Sequence, residues 1–122
     1  TLAQKAALEC FTPASIAVCE SRRAMLKSRK ELILAGLKEC GLHVPVQPDG
    51  AFYVYIDVRP TGLSAMDFCE RALQEAHVAL TPGNDFGEFQ GDDFIRLSFA
   101  SAESELQEGL VRLGGFMAKL AL

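Results

Sequence analysis

One arginine in this sequence stands where a cation is costly. The stretch DDFIRLSFA, Asp92 to Ala100, reads as a β-strand, and side chains alternate between faces along a strand. Ile95, Leu97 and Phe99 therefore share one face, and Phe94, Arg96 and Ser98 the other. A buried guanidinium must be paired and hydrogen-bonded, because its desolvation is otherwise expensive. Two outcomes are open. Arg96 forms an internal ion pair, with Asp57, Asp85, Asp92 or Asp93 as partner, or it is a vacant fork of five donors suited to a carboxylate, a role lysine fills poorly. Just upstream, Gly83 and Gly87 bracket the loop PGNDFG, where they allow tight turns and the close approach of a ligand; a plain loop accounts for Pro82–Gly83 equally well. His43 and His77 are isolated from any second histidine or nearby cysteine, so packing or surface roles are expected and a metal site is not. No nucleophile elbow, P-loop or dinucleotide fingerprint is present, and no residue reads as an activated nucleophile.

The elements that must position Arg96 can be traced along the chain. Residues 1–10 carry a helical pattern that FTPAS breaks, and Thr12 marks the boundary because the residue before a proline avoids the helical region. A long helix is expected from Ser15 to Cys40, with Leu26, Ile33, Leu37 and Cys40 on one stripe and a mostly basic, solvated remainder; Gly41 is a left-handed stop. Val44 and Val46 suggest a short strand interrupted by Pro45, and PDG a turn. AFYVYIDV is aromatic and β-branched, a strand whose apolar character predicts burial on both sides. Ser64 caps a second helix, with Asp67 as its capping-box partner and Ala65, Phe68, Cys69, Ala72, Leu73 and Ala76 as its buried face. VALTPG is a short strand before the loop, FIRLSFA the strand already described. After Ser101 a last helix carries Leu106, Leu110, Leu113, Met117 and Leu120, weakened at Gly114 and Gly115 by about 1 kcal/mol each. This order predicts an α/β (α+β) fold: a two-layer sandwich of a small mixed or antiparallel sheet against helices.

The 122 residues suit one domain and include 49% hydrophobic residues, enough for a core. A net charge of −4 argues against a nucleic-acid partner. No apolar run approaches the ~20 residues of a membrane span, and no signal peptide is evident. Cys10, Cys19, Cys40 and Cys69 form no C-x-x-C pair and lie among apolar residues, so they are expected to be reduced and buried, which points to the cytoplasm. The chain lacks an initiator Met and starts in what reads as mid-helix, so a piece of a larger protein is expected.

Three segments read together carry a resemblance. PDGAFYVYIDV, FCERALQEAHVALTPGNDFG and DDFIRLSFASAESELQEGLVRL, in this order and at this separation, resemble the C-terminal small domain of class I/II pyridoxal-phosphate-dependent aminotransferases, the fold-type I group. AQKAALECF is similar to the helix that ends their large domain, so the resemblance covers nearly the whole chain. It implies that residues 1–14 end a large domain and connect it to a small domain at 15–122. It implies that Arg96, in the setting Arg96-Leu97-Ser98-Phe99-Ala100, binds the substrate α-carboxylate during amino-group transfer between an amino acid and a 2-oxo acid. Gly50 and Phe52 in the GAFY turn would lie near the active site, and Gly83 and Phe86 in the P-G-x-x-F-G loop would shape the approach to Arg96. Further implications are pyridoxal 5'-phosphate as cofactor of the full-length enzyme, a large domain of the same chain as partner, and a homodimer. The family's Schiff-base lysine, its pyridine-pairing aspartate and its phosphate-binding residues belong to the large domain, and none has a counterpart here. Lys5, Lys27, Lys30, Lys38 and Lys119 sit in helical, polar contexts, so no catalytic or cofactor-binding residue is expected and the chain alone should be inactive. Fold-type I lyases use the same small domain and the same arginine, so lyase chemistry stays open. A stand-alone α/β binding module is the remaining alternative, although GAFYVYI carries Asp49 where an RNA-recognition strand wants a basic residue.

Overall fold

The computed structural model describes residues 1–121. Helix α1 spans Leu2–Glu9 and helix α2 Pro13–Glu39. Thr12 caps α2, its side chain accepting from the Ser15 amide at 3.4 Å. The helix starts two residues before the expected Ser15 because a proline in the first turn loses no hydrogen bond. It stops at Gly41, whose φ of +75° is the left-handed conformation expected there. Ile33 and Leu37 are buried and Leu26 and Cys40 half-buried, as the stripe predicts, while the N-terminal half of α2 meets no core.

The expected strand at Val44–Val46 does not form. A single antiparallel bridge joins His43 to Asp57, then Pro45 has no N–H to continue it and Val46 is 76% exposed. Strand β1 (Tyr53–Asp57) pairs antiparallel with β3 (Phe94–Ser98), which pairs antiparallel on its other side with β2 (Thr81–Pro82), giving the order β1-β3-β2. The sheet is thus wholly antiparallel.

Helix α3 spans Ala65–Ala76 and helix α4 Glu103–Leu120. Val54, Ile56, Ile95, Leu97 and Phe99 form one buried cluster with Ile33 and Leu37 of α2, Phe68 and Ala72 of α3, and Leu113 and Phe116 of α4. This is the predicted two-layer sandwich. Since the three helices share one face, β1 is not buried on both sides: Val54 and Ile56 are covered but Tyr55 is 37% exposed.

Local chemistry sets the helix ends. The Ser64 hydroxyl accepts from the Asp67 amide at 3.1 Å and donates to the Asp67 carboxylate at 2.7 Å, so the cap forms but the carboxylate takes the hydroxyl rather than the Ser64 amide. Leu73, expected on the buried face of α3, is 53% exposed. Helix α4 runs unbroken through Gly114–Gly115; a Cβ on Gly114 would stand 3.4 Å from the Cys40 sulfur, so the small residue serves the α2–α4 contact. The cysteine expectation needs correction. Cys69 is buried and Cys40 half-buried, but Cys10 and Cys19 are exposed on the helical segment that carries no core. Burial, with a smaller effect of Asp85, pushes the Cys69 thiol up to about 11. Among the described residues no helix is long and apolar enough to cross a membrane.

Candidate functional site

The uncovered face of the sheet carries Arg96. In the register, Arg96 stands opposite Tyr55 on one side and Thr81 on the other. Its guanidinium lies over the diagonal neighbour instead, with its central carbon 4.2 Å from the centre of the Tyr53 ring. The Phe86 ring holds the same carbon at 4.3 Å. The Arg96 cation therefore lies over two rings, whose electron-rich faces stabilise it without neutralising it as a carboxylate would.

None of the four carboxylates weighed as partners neutralises it. Asp57 is taken by Arg59, which donates to it through Nε at 3.0 Å and through the terminal nitrogen at 2.7 Å, with a third bond at 3.0 Å from the Arg59 amide. The Arg59 hydrogen bond holds the Asp57 carboxyl below its ordinary pKa despite burial. Asp92 accepts from Asn84 at 2.8 Å, and Asp85 and Asp93 enter no ion pair. The ion pairs among the described residues are Arg23–Glu20, Arg59–Asp57, Arg71–Glu75 and Arg112–Glu108. Arg96 is half-buried yet has no nitrogen sealed from solvent without a partner, unlike Arg29 and its Nε. Its N–H edge is open.

Two turns supply the rings. The chain leaves β2 through a 3₁₀ turn, Gly83–Asp85, closed by the Phe86 amide donating to the Gly83 carbonyl at 2.9 Å. Gly83 is buried, and a Cβ there would stand 2.5 Å from the Gly91 carbonyl oxygen, 2.8 Å from that of Phe94 and 2.8 Å from the Tyr55 hydroxyl. The glycine is demanded by space, not by a left-handed φ. At the other end, Phe52 packs on Tyr53 with ring centres 4.5 Å apart, and its carbonyl accepts from the Phe99 amide at 2.8 Å.

Of the residues singled out from sequence, the structure thus joins Arg96 and Phe86 directly, Gly83 beneath the turn that carries Phe86, and Phe52 behind Tyr53. Gly50 lies two residues before Phe52. It lines a groove of about 630 Å³ beside the N-terminal half of α2, with Arg22, Arg23, Lys27, Lys30 and Asp49. Tyr53 and Tyr55 are the residues that sequence reasoning did not single out. The signal was present, since they share a face of β1 by alternation, but using it requires the register with β3. His43 and His77 are both exposed, His77 as the left-handed cap of α3. No cluster able to hold a metal ion occurs among the described residues.

A fit test for pyridoxal phosphate turns on an amine near Arg96. All five lysines belong to helices, four of them exposed, and Lys30 donates to the Pro48 carbonyl at 3.3 Å. No lysine among the described residues belongs to the sheet or to the turns that carry Arg96 and its rings.

Comparison with known proteins gives a consistent picture. Residues 1–113 match the family model "Aminotransferase class I and II". The chain is 36% identical over 116 residues to valine--pyruvate aminotransferase of Mycobacterium tuberculosis, covering 95% of this chain and 30% of that protein. It is 40% identical over 121 residues to aspartate/prephenate aminotransferase of Thermus thermophilus, covering 98% and 30%. The crystal structure of an aminotransferase from Mycobacterium tuberculosis superposes with a TM-score of 0.88 at 36% identity, over 93% of this chain and 30% of that one. The chain spans about 30% of the length of these relatives.

Proposed function

Because this chain belongs to the aminotransferase class I and II family, we propose that Arg96 grips the α-carboxylate of the amino acid, and of the 2-oxo acid, during amino-group transfer by a longer protein of which these residues are the small domain. The observation that carries this reading is a strand guanidinium with two rings against it, no carboxylate of its own and an open N–H edge. A planar fork offers a carboxylate two parallel charge-assisted hydrogen bonds, which fix direction as well as distance. Held this way, the substrate's Cα is kept from tumbling, and orientation of that kind lowers a barrier by several kcal/mol.

The family's cofactor, pyridoxal 5'-phosphate, acts as an electron sink for chemistry at Cα. We assign its binding to the large domain, with residues 1–14 as the end of that domain and the connection to residues 15–122, and a homodimer as the working assembly. That the named relatives are aminotransferases favours transfer over lyase chemistry. A cytoplasmic location accords with the free cysteines.

The test is kinetic and uses the full-length protein. Arg96→Ala is expected to raise KM for amino acid and 2-oxo acid by about 100-fold, the size of a lost charge-assisted hydrogen-bond pair. Arg96→Lys is expected to recover little of it, because an ammonium has no planar fork. Unchanged kinetics in both variants would overturn the carboxylate grip.

A further inference from the structure

Stacked rings alone do not say what they are for, but their placement on Arg96 does. A guanidinium has two faces and a rim. Here two rings lie against its central carbon, Tyr53 at 4.2 Å and Phe86 at 4.3 Å, and neither ring carbon framework offers a hydrogen-bond acceptor in the guanidinium plane. Both rings have an aromatic neighbour. Tyr53 is backed by Phe52. Phe86 meets Tyr55 edge-on at 6.3 Å, and its amide is tied to Gly83. Phe86 is nevertheless 49% exposed, so it contributes little to the core and its position over the cation calls for another explanation.

We propose that Tyr53 and Phe86 are positioning residues that clamp the guanidinium plane of Arg96, so that only its rim can be offered to a ligand. This rests on the reading of Arg96 as the carboxylate grip. The physical need is plain. A guanidinium on a flexible stem samples many orientations, and a bidentate partner accepts few of them; restricting the plane beforehand removes that ordering cost from binding. An aspartate or glutamate could hold the plane equally well but would occupy the rim. Aromatic faces hold it and leave the rim vacant.

The inference predicts a uniform effect. Every amino acid and 2-oxo acid presents the same α-carboxylate, so loosening Arg96 must weaken all of them alike. In the full-length enzyme, Phe86→Leu and Tyr53→Leu are each expected to raise KM about fivefold or more, the range of a lost cation–π contact, for substrates of different side chain. kcat should change less than KM, and the thermal midpoint should move little for Phe86→Leu because the ring is half exposed. Phe86→Tyr and Tyr53→Phe keep the ring and should stay near wild type. A KM effect confined to one class of substrate side chain overturns the proposal, since Phe86 would then be a pocket wall. Unchanged KM in both leucine variants, with Arg96→Ala impaired, overturns it while leaving the grip intact. Unchanged kinetics in Arg96→Ala removes the grip and this inference together.

Discussion

At the scale of the residue, the two strand-associated arginines Arg59 and Arg96 show how neighbours decide what a cation can do. Arg59 sits two residues from Asp57, close enough for its amide and guanidinium both to reach one carboxylate. Local geometry neutralises Asp57, and Arg96 loses one of its candidate partners as a result. The consequence for stability has a definite sign. The folded-state pKa of Asp57 is lowered, chiefly by the Arg59 hydrogen bond, so its contribution is fully present above the unfolded carboxylate value near 3.9 and disappears as the pH falls through the depressed folded value. Asp57→Asn is expected to cost roughly 1–2 kcal/mol at pH 7, since Asp57 is buried while Arg59 remains about half exposed. Urea unfolding at pH 7 and pH 3 checks this: the gap between wild type and variant should narrow in acid. A gap that widens there would show that the pair does not behave as drawn.

At the scale of the element, the turn between β2 and β3 is the part whose geometry matters most. Its buried glycine lets two carbonyls and the Tyr55 hydroxyl close around the space a side chain would need. Two of the three obstructing atoms belong to backbone, which cannot swing aside as a flexible side chain can. Gly83→Ala is therefore expected to destabilise the fold by roughly 1–3 kcal/mol and to loosen the turn that carries Phe86. Denaturant titration gives the first number; a loss below about 0.5 kcal/mol, ordinary for a surface change, would mean the turn has room to spare. The helices tell the complementary story. Their ends follow from caps and breakers within a few residues, and Thr12, Pro13, Gly41 and Ser64 each act where local chemistry allows.

At the scale of the molecule, the chain is uneven. Helices α2, α3 and α4 close over one face of the sheet, while Leu2, Leu8, Phe11 and Ile16 are all exposed, three of them at 72% or more. Helix α1 buries no residue at all, and eight residues of helix without tertiary support are marginal in water. Together with lysines confined to helices, this supports the proposal that cofactor binding belongs to another domain of the longer protein. The 122 residues expressed alone are expected neither to transaminate nor to keep pyridoxal phosphate. An absorbance band of the bound cofactor surviving dialysis would contradict that.

How much of this was legible beforehand differs by level. The alternation that puts Arg96 opposite the Ile95–Leu97–Phe99 face was readable, because period two is imposed by covalent geometry. Caps, stops and stripes were readable for the same local reason. Misreadings arose where neighbours distant in sequence decide. AFYVYIDV looks equally apolar on both faces, and only the gathering of three helices on one side leaves Tyr55 half exposed. Cys19 sits in a helix like the buried Cys69 and Cys10 caps one, but both are exposed.

Apart from the strand expected at Val44–Val46, the sequence by itself determined the elements, the face on which Arg96 lies and the family likeness, since each depends on residues close in the chain or on their order. Tertiary structure alone decided that Tyr53 rather than Tyr55 lies under the guanidinium and that Phe86 packs against it as well. The Tyr53 contact follows from a strand register joining residues about forty positions apart, and a one-residue slip in such a register would send every side chain to the opposite face.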